Sequence, residues 1–99
     1  MPLRELVEEA LRRGEGEEAE FKLRLDKEAA RTLCGLANHR GGLLLIGVND
    51  EGKPIGTPKD SLERLNSLLG SIYPRPRVRP GEAKARLCSM HCQAGFEGR

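Results

Sequence analysis

Apolar residues recur at helical spacing in three stretches of the chain. They predict amphipathic helices over residues 3–13 and 27–38, and a third helix that starts after Asp60 and ends near Tyr73. Gly14 is suited to end the first helix. Asp26 is a suitable N-cap for the second. Asp60 and Glu63 have the spacing of a capping box at the start of the third helix, with Asp in place of the usual Ser or Thr.

Two other stretches predict β-strands. Residues 19–25 alternate apolar and charged side chains, which is typical of a strand with one buried and one charged face. Residues 43–48, "LLLIGV", are apolar at every position, which predicts a central strand covered on both faces. Gly41 and Gly42 permit a tight reversal into this strand. The order of these elements indicates an α/β (α+β) fold, a small mixed sheet with helices packed on it.

The end of the chain has a different pattern. Residues 74–99 show weak periodicity, and "PRPRVRP" within them favours an extended backbone. We therefore divide the chain into a domain over residues 1–73 and a basic, Pro/Arg- and Cys-containing C-terminal tail over residues 74–99. An extra strand within that tail is the alternative.

Length and composition limit the class of protein. The chain has 99 residues, which suits one domain, and domains of this size are marginally stable alone. We expect a homodimer or a higher homo-oligomer, because the sheet would have open edges. No apolar run reaches the roughly 18 residues that a membrane span requires, and the N-terminus lacks the apolar centre of a signal peptide. The sequence thus predicts a cytoplasmic protein without a membrane partner.

Charge is distributed unevenly along the chain. Residues 1–72 contain 11 Lys or Arg and 13 Asp or Glu, whereas residues 73–99 contain 6 and 2. A basic end on a mildly acidic body is typical of proteins that contact polyanions, although a solubilising tail gives the same pattern. The candidate nucleic-acid-binding residues are Lys22, Arg24, Arg40, Arg75, Arg77 and Arg79. Only three aromatic residues are present, which argues against a base-stacking surface and favours contacts to phosphates.

Three acidic residues are candidates for metal chemistry. If the two predicted strands are neighbours, Glu20 on the first and Asp50 after the second would converge, with Glu15 just before the first strand. Clustered carboxylates hold divalent metals that stabilise a phosphodiester transition state. Acidic residues in turns and on exposed strand faces are more often solvated or paired with Lys and Arg.

Two segments resemble the signatures of a known family. "GEGEEAEFK", residues 14–22, and "LCGLANHRGGLLLIGVNDEGKPIG", residues 33–56, are similar to those of the Schlafen AlbA-type DNA-binding domain family. In the second signature a helix ends in Ala-Asn and is followed by Gly-Gly, an apolar strand, Gly-Val and an acidic pair. The resemblance covers about residues 3–73, and the Cys-containing end is unlike the further strands that the family has there.

The resemblance implies a domain that binds nucleic acid, in bacteria often the N-terminal module of a transcriptional regulator. Some eukaryotic members are endoribonucleases with an acidic triad, and the matching positions here are Glu15, Glu20 and Asp50. The first interpretation is a nucleic-acid-binding module, for DNA rather than RNA, without a cofactor. One alternative is a metal-dependent endoribonuclease that uses the triad with Mg²⁺ or Mn²⁺. The other is a truncated oligomerisation module without binding activity.

Overall fold

The computed structural model describes residues 2–58, 60–72, 76–83 and 87–96. Within these ranges the elements are α1 (Leu3–Arg13), β1 (Ala19–Lys22), α2 (Lys27–Ala37), β2 (Gly42–Ile46), α3 (Ser61–Ser71), β3 (Pro76–Ala83) and β4 (Leu87–Phe96). The strands form one sheet in the order β1-β2-β4-β3, in which β1 and β2 are parallel and the other pairs antiparallel. This mixed sheet with packed helices confirms the predicted fold class. None of the helices in those ranges is long and apolar enough to cross a membrane.

Two of the three predicted helix-end residues, Gly14 and Asp26, have the expected role in the structure, and Asp60 does not. Helix α1 ends at Gly14, which has a φ of 86° and donates its N–H to the Ala10 carbonyl. Helix α2 begins after Asp26, whose side chain accepts a hydrogen bond of 3.0 Å from the Glu28 N–H. The predicted capping box of α3 does not form, because the Asp60 side chain makes no capping hydrogen bond and its backbone lacks the extended conformation typical of an N-cap.

Strand β2 is the centre of the molecule and is covered on both faces, as predicted. Leu43 and Leu45 belong to a buried cluster with Val7 and Ala10 of α1. Leu44 and Ile46 belong to a second buried cluster on the opposite face. Its other members come from α2, α3 and β4: Ala29, Leu33, Leu36, Ala37, Leu65, Leu69, Met90 and Cys92. The two clusters together form the hydrophobic core.

The two glycines before the main part of β2 allow close approach of neighbouring backbones. Gly41 has a φ of 80°, and a Cβ atom built there would lie 2.4 Å from the Cys92 carbonyl oxygen. A Cβ atom at Gly42 would lie 2.7 Å from the carbonyl oxygen of Glu18. The pair therefore lets β2 begin between the lead-in to β1 and the end of β4, where no side chain fits.

Strand β1 is shorter than the predicted 19–25. It ends at Lys22, whose carbonyl accepts hydrogen bonds from both Gly47 and Val48, the residues just after the end of β2. Beyond this point Leu23 is 49% exposed. A continued strand would put Phe21 and Leu25 on the same face, but Phe21 packs on the α1 side and Leu25 on the α2–α3 side. The alternation stops because β2 ends at Ile46, opposite Lys22, so β1 has no neighbouring strand beyond that residue.

Residues 76–83 and 87–96 are strands of the main sheet, which agrees with the alternative of a strand in the tail and not with a separate tail. Strands β3 and β4 pair in antiparallel orientation, and β4 pairs with the whole length of β2, from Gly42 opposite Cys92 to Ile46 opposite Cys88. Met90 and Cys92 are part of the hydrophobic core. A boundary after residue 73 would remove a central strand, so these two strands belong to the same domain as the rest.

We predict that Gly41→Ala destabilises the protein strongly. The new methyl group would meet the Cys92 carbonyl in a backbone conformation that alanine disfavours, so the free energy of unfolding should fall by about 2 kcal/mol or more. Gly35→Ala is the matched control, because Gly35 is in α2 and a Cβ atom there meets nothing within 4 Å. This control should gain about 0.5–1 kcal/mol. Thermal melts measure both, and equal melting temperatures for the two variants would contradict the prediction.

Candidate functional site

Two of the six candidate basic residues lie on the edge strand β3. Arg77 and Arg79 are exposed, whereas Val78 between them packs against the α2–α3 core. Arg79 stands opposite His91 of β4, and its Nη2 atom lies 3.3 Å from His91 Nδ1. Since a guanidinium only donates, His91 Nδ1 is the acceptor of this hydrogen bond. The pair fixes the direction of the Arg79 side chain without neutralising its charge.

The other candidates are dispersed. Arg40 is exposed in the turn between α2 and β2, and Arg24 is exposed just after β1. Lys22 forms an ion pair with Glu28, with 3.1 Å between Nζ and Oε2. The edge strands β1 and β3 are three strand spacings apart, about 14 Å. The structure thus separates Lys22 and Arg24 from Arg77 and Arg79, and Arg75 lies outside the described residues.

Ion pairing distinguishes these arginines from those of α1. Arg4, Arg12 and Arg13 of α1 each pair with Glu8 or Glu9. In the part of the chain that the structure describes, no carboxylate lies within 4.0 Å of the charged groups of the exposed candidates: Arg24, Arg40, Arg77 and Arg79. Their charge is therefore available to an external anion.

A groove opens beside α1 at the end of the sheet where β2 begins and β4 runs towards its end. Its lining comes from residues 13–19, 40–43 and 91–94 together with Leu6, Glu9 and Ala10, and its volume is about 1040 Å³. We refer to it as the α1 groove. Arg40 and His91 both border it. The sequence did not predict His91 at this place, because its position depends on which residues of β4 lie opposite β2.

His91 and Cys92 have different environments because they point to opposite faces of β4. Burial, and secondarily the charge of Arg79, lower the pKa of His91, so its ring is neutral at neutral pH. Burial, and secondarily the neighbouring Cys34, raise the pKa of the Cys92 thiol. Its Sγ atom lies 3.8 Å from the Leu33 carbonyl oxygen beneath α2. His91 is thus a partly buried group beside the groove, and Cys92 is a core residue.

The three candidate acids do not form a metal site in the structure. Glu15 Oε2 accepts a hydrogen bond of 3.1 Å from the Phe21 N–H. Glu20 stands opposite Leu44 in the sheet, and Asp50 is exposed in the turn after β2. Within the described ranges, which include all three, no group of three or more His, Cys, Asp or Glu could hold a metal ion. The residues as placed do not fit Mg²⁺ or Mn²⁺, and catalytic use of the triad stays a prediction from the resemblance.

A four-stranded mixed sheet with one helix on one face and two on the other places the chain among small α+β domains. The family described as Schlafen, AlbA_2 matches residues 15–91. The chain belongs to this family, and the match continues beyond residue 73 into β4.

The fold is also similar to that of a solved structure. The solution NMR structure of the N-terminal domain of a RecG-related protein from Nitrosomonas europaea is similar, with a TM-score of 0.60 and 23% sequence identity. The similarity covers 93% of this chain and 72% of that one, and it confirms the fold. No curated protein matches the chain.

We predict that Mn²⁺ does not raise the melting temperature of the protein. A metal that bound the folded state would stabilise it by mass action, but the three acids form no group that could hold a metal ion. The measurement is a thermal melt with Mn²⁺ and with EDTA, on the natural sequence, on Asp50→Asn and on Asp60→Asn as a control. A metal-dependent rise that Asp50→Asn abolishes and Asp60→Asn preserves would instead establish a metal site.

Proposed function

We propose that the chain is a nucleic-acid-binding module, for DNA rather than RNA, that contacts mainly the phosphate backbone. The observation that carries this proposal is the pair of exposed arginines on β3, Arg77 and Arg79, which have no carboxylate partner in the described residues. Membership of the Schlafen AlbA_2 family supports it. So does the name of the structural neighbour, which relates that protein to an ATP-dependent DNA helicase.

The edge strand is a suitable support for phosphate contacts. Val78 anchors β3 to the α2–α3 core, so the arginines on either side of it start from a fixed backbone. Less conformational entropy is then lost on binding than with arginines on a mobile chain. Arg79 is held further by its hydrogen bond to the neutral His91. Guanidinium groups bind phosphate oxygens in bidentate geometry, without reading the base sequence.

Arg40 is the third member of the proposed surface, and Lys22 is the weakest candidate because Glu28 engages its charge. We propose Arg24, on the opposite edge, and Arg75 as secondary contacts. We further propose a cytoplasmic module of a transcriptional regulator that binds without a cofactor. The family resemblance supports the regulatory role.

The salt dependence of DNA binding tests this surface. We expect a slope of about −2 to −3 when the logarithm of the affinity for duplex DNA is plotted against that of the salt concentration. The double variant Arg77→Ala/Arg79→Ala should bring the slope to about −1, because each phosphate contact contributes about 0.9. Fluorescence anisotropy at several salt concentrations gives the slope.

The control has the same change in net charge at another place. Arg4→Ala/Arg12→Ala removes two arginines that are ion-paired on α1, so it should leave the slope nearly unchanged. An equal fall in both double variants would mean that only net charge matters. An unchanged slope in Arg77→Ala/Arg79→Ala would place the binding surface elsewhere.

We also propose a homodimer or higher homo-oligomer, but not through the sheet edges. On β1 the outward N–H of Phe21 is bonded to Glu15, and on β3 Pro76 and Pro80 have no N–H to donate. Among the side chains that the structure describes, two large apolar ones are exposed instead, Leu23 at 49% and Ile55 at 59%. Both lie at the same end of the sheet, because Gly47, just after β2, donates its N–H to the Lys22 carbonyl and accepts the N–H of Ile55.

Light scattering tests the oligomer. The natural sequence should have at least the mass of a dimer at high micromolar concentration, and Leu23→Asp/Ile55→Asp should shift the population towards the monomer, because a charge at an apolar contact is desolvated without a partner. Circular dichroism checks that the variant is folded. A monomer for the natural sequence at that concentration would contradict the proposal.

A further inference from the structure

The α1 groove is large enough to hold part of a nucleic-acid strand. Its volume of about 1040 Å³ exceeds what one nucleotide requires and is at the upper end of ordinary ligand pockets, about 300–1,000 Å³. It adjoins the proposed phosphate-binding surface, since His91 lines the groove and contacts Arg79 of β3. A strand held by the β3 arginines would therefore pass the mouth of the groove.

The lining of the groove is partly apolar and includes one aromatic ring. Leu6, Ala10 and Leu43 contribute aliphatic groups, and His91 contributes an imidazole that is neutral because burial and Arg79 lower its pKa. An apolar surface cannot replace the water around a phosphate, whereas the face of a base loses little on leaving water. A neutral imidazole ring is one of the groups on which unpaired bases stack.

The groove is lined by charges of both signs, Glu9, Arg13, Glu15, Glu17, Glu18 and Arg40, of which Glu9 and Arg13 form an ion pair. Glu17 and Glu18, in the turn before β1, have no cationic partner within 4.0 Å in the described residues, and Arg40 lies on another part of the lining. Carboxylates repel phosphate but accept hydrogen bonds from the amino groups of bases. Helices α1 and α2 also end beside the groove, and the C-terminal end of a helix carries partial negative charge. A phosphate is thus disfavoured beside these carboxylates and helix ends, and favoured at Arg40 on the lining and at Arg79 next to the groove.

We propose that the α1 groove binds an unpaired nucleobase of a single strand while Arg79 and Arg40 bind the adjoining phosphates. This inference rests on the proposed function and adds to it a preference for unpaired over paired nucleic acid. Paired bases are stacked inside a duplex, so they cannot enter a groove without being extruded. The scarcity of Phe, Tyr and Trp excludes a platform of successive bases, but a single base needs only the His91 ring.

The experiment compares a short labelled DNA strand with the same strand in which abasic nucleotides replace the bases. Both carry the same phosphates, so their affinities differ only through the bases. By anisotropy, the natural sequence should bind the base-containing strand about tenfold more tightly than the abasic strand. His91→Ala should bring this ratio close to one, and His91→Phe should preserve it, because phenylalanine keeps a stacking ring without the hydrogen bond to Arg79.

Each outcome has one meaning. Equal affinity of the natural sequence for the two strands would overturn the base site and leave the phosphate-binding function intact. Absence of binding to both strands and to the duplex would overturn both proposals. If His91→Phe lost the ratio as fully as His91→Ala while still folded, the ring would not be a stacking surface and the inference would fail. Free mononucleotides should displace the strand poorly, and displacement at equimolar concentration would identify a nucleotide site instead of a strand site.

Discussion

Burial of β2 on both faces is the constraint on which the rest of the fold depends. Its four apolar side chains from Leu43 to Ile46 alternate between two clusters, so each face of the sheet needs its own cover. At about 1.5–3 kcal/mol for each buried large aliphatic side chain, these four contribute about 6–12 kcal/mol, as much as the whole net stability of a typical domain. If helices covered only one face, two of the four side chains would stay exposed to water, and about half of this stabilisation would be lost.

The position of β2 also explains the glycine pair before it. A strand in the centre of a sheet must enter between two neighbours, here the lead-in to β1 and the end of β4. The Cys92 and Glu18 carbonyls lie where the Cβ atoms of residues 41 and 42 would be. Backbone packing is thus enough to explain the Gly-Gly of the family signature, without a ligand-binding role for the two glycines.

Covering both faces of the sheet leaves its edges and ends for function. In the described residues, exposed arginines without a carboxylate partner include those on the edge strand β3 and in the α2–β2 turn, and the groove lies at one end of the sheet beside α1. His91 connects the two places, because it contacts Arg79 on one side and lines the groove on the other. A basic edge lies beside a partly apolar, partly acidic groove. This arrangement supports the proposal that the arginines bind the phosphates and the groove binds the base.

The sequence by itself determined the elements whose causes are local. Helix α1, the start of α2 at Asp26 and the doubly buried β2 follow from periodicity and capping, which depend on neighbours a few residues away. The two signatures also determined the family. The tertiary structure alone decided that β4 lies in the centre of the sheet, because strand pairing joins residues that are far apart in sequence, such as Leu44 and Met90. It likewise decided the end of β1, the placement of the three acids and the position of His91, since each depends on which strand lies next to which.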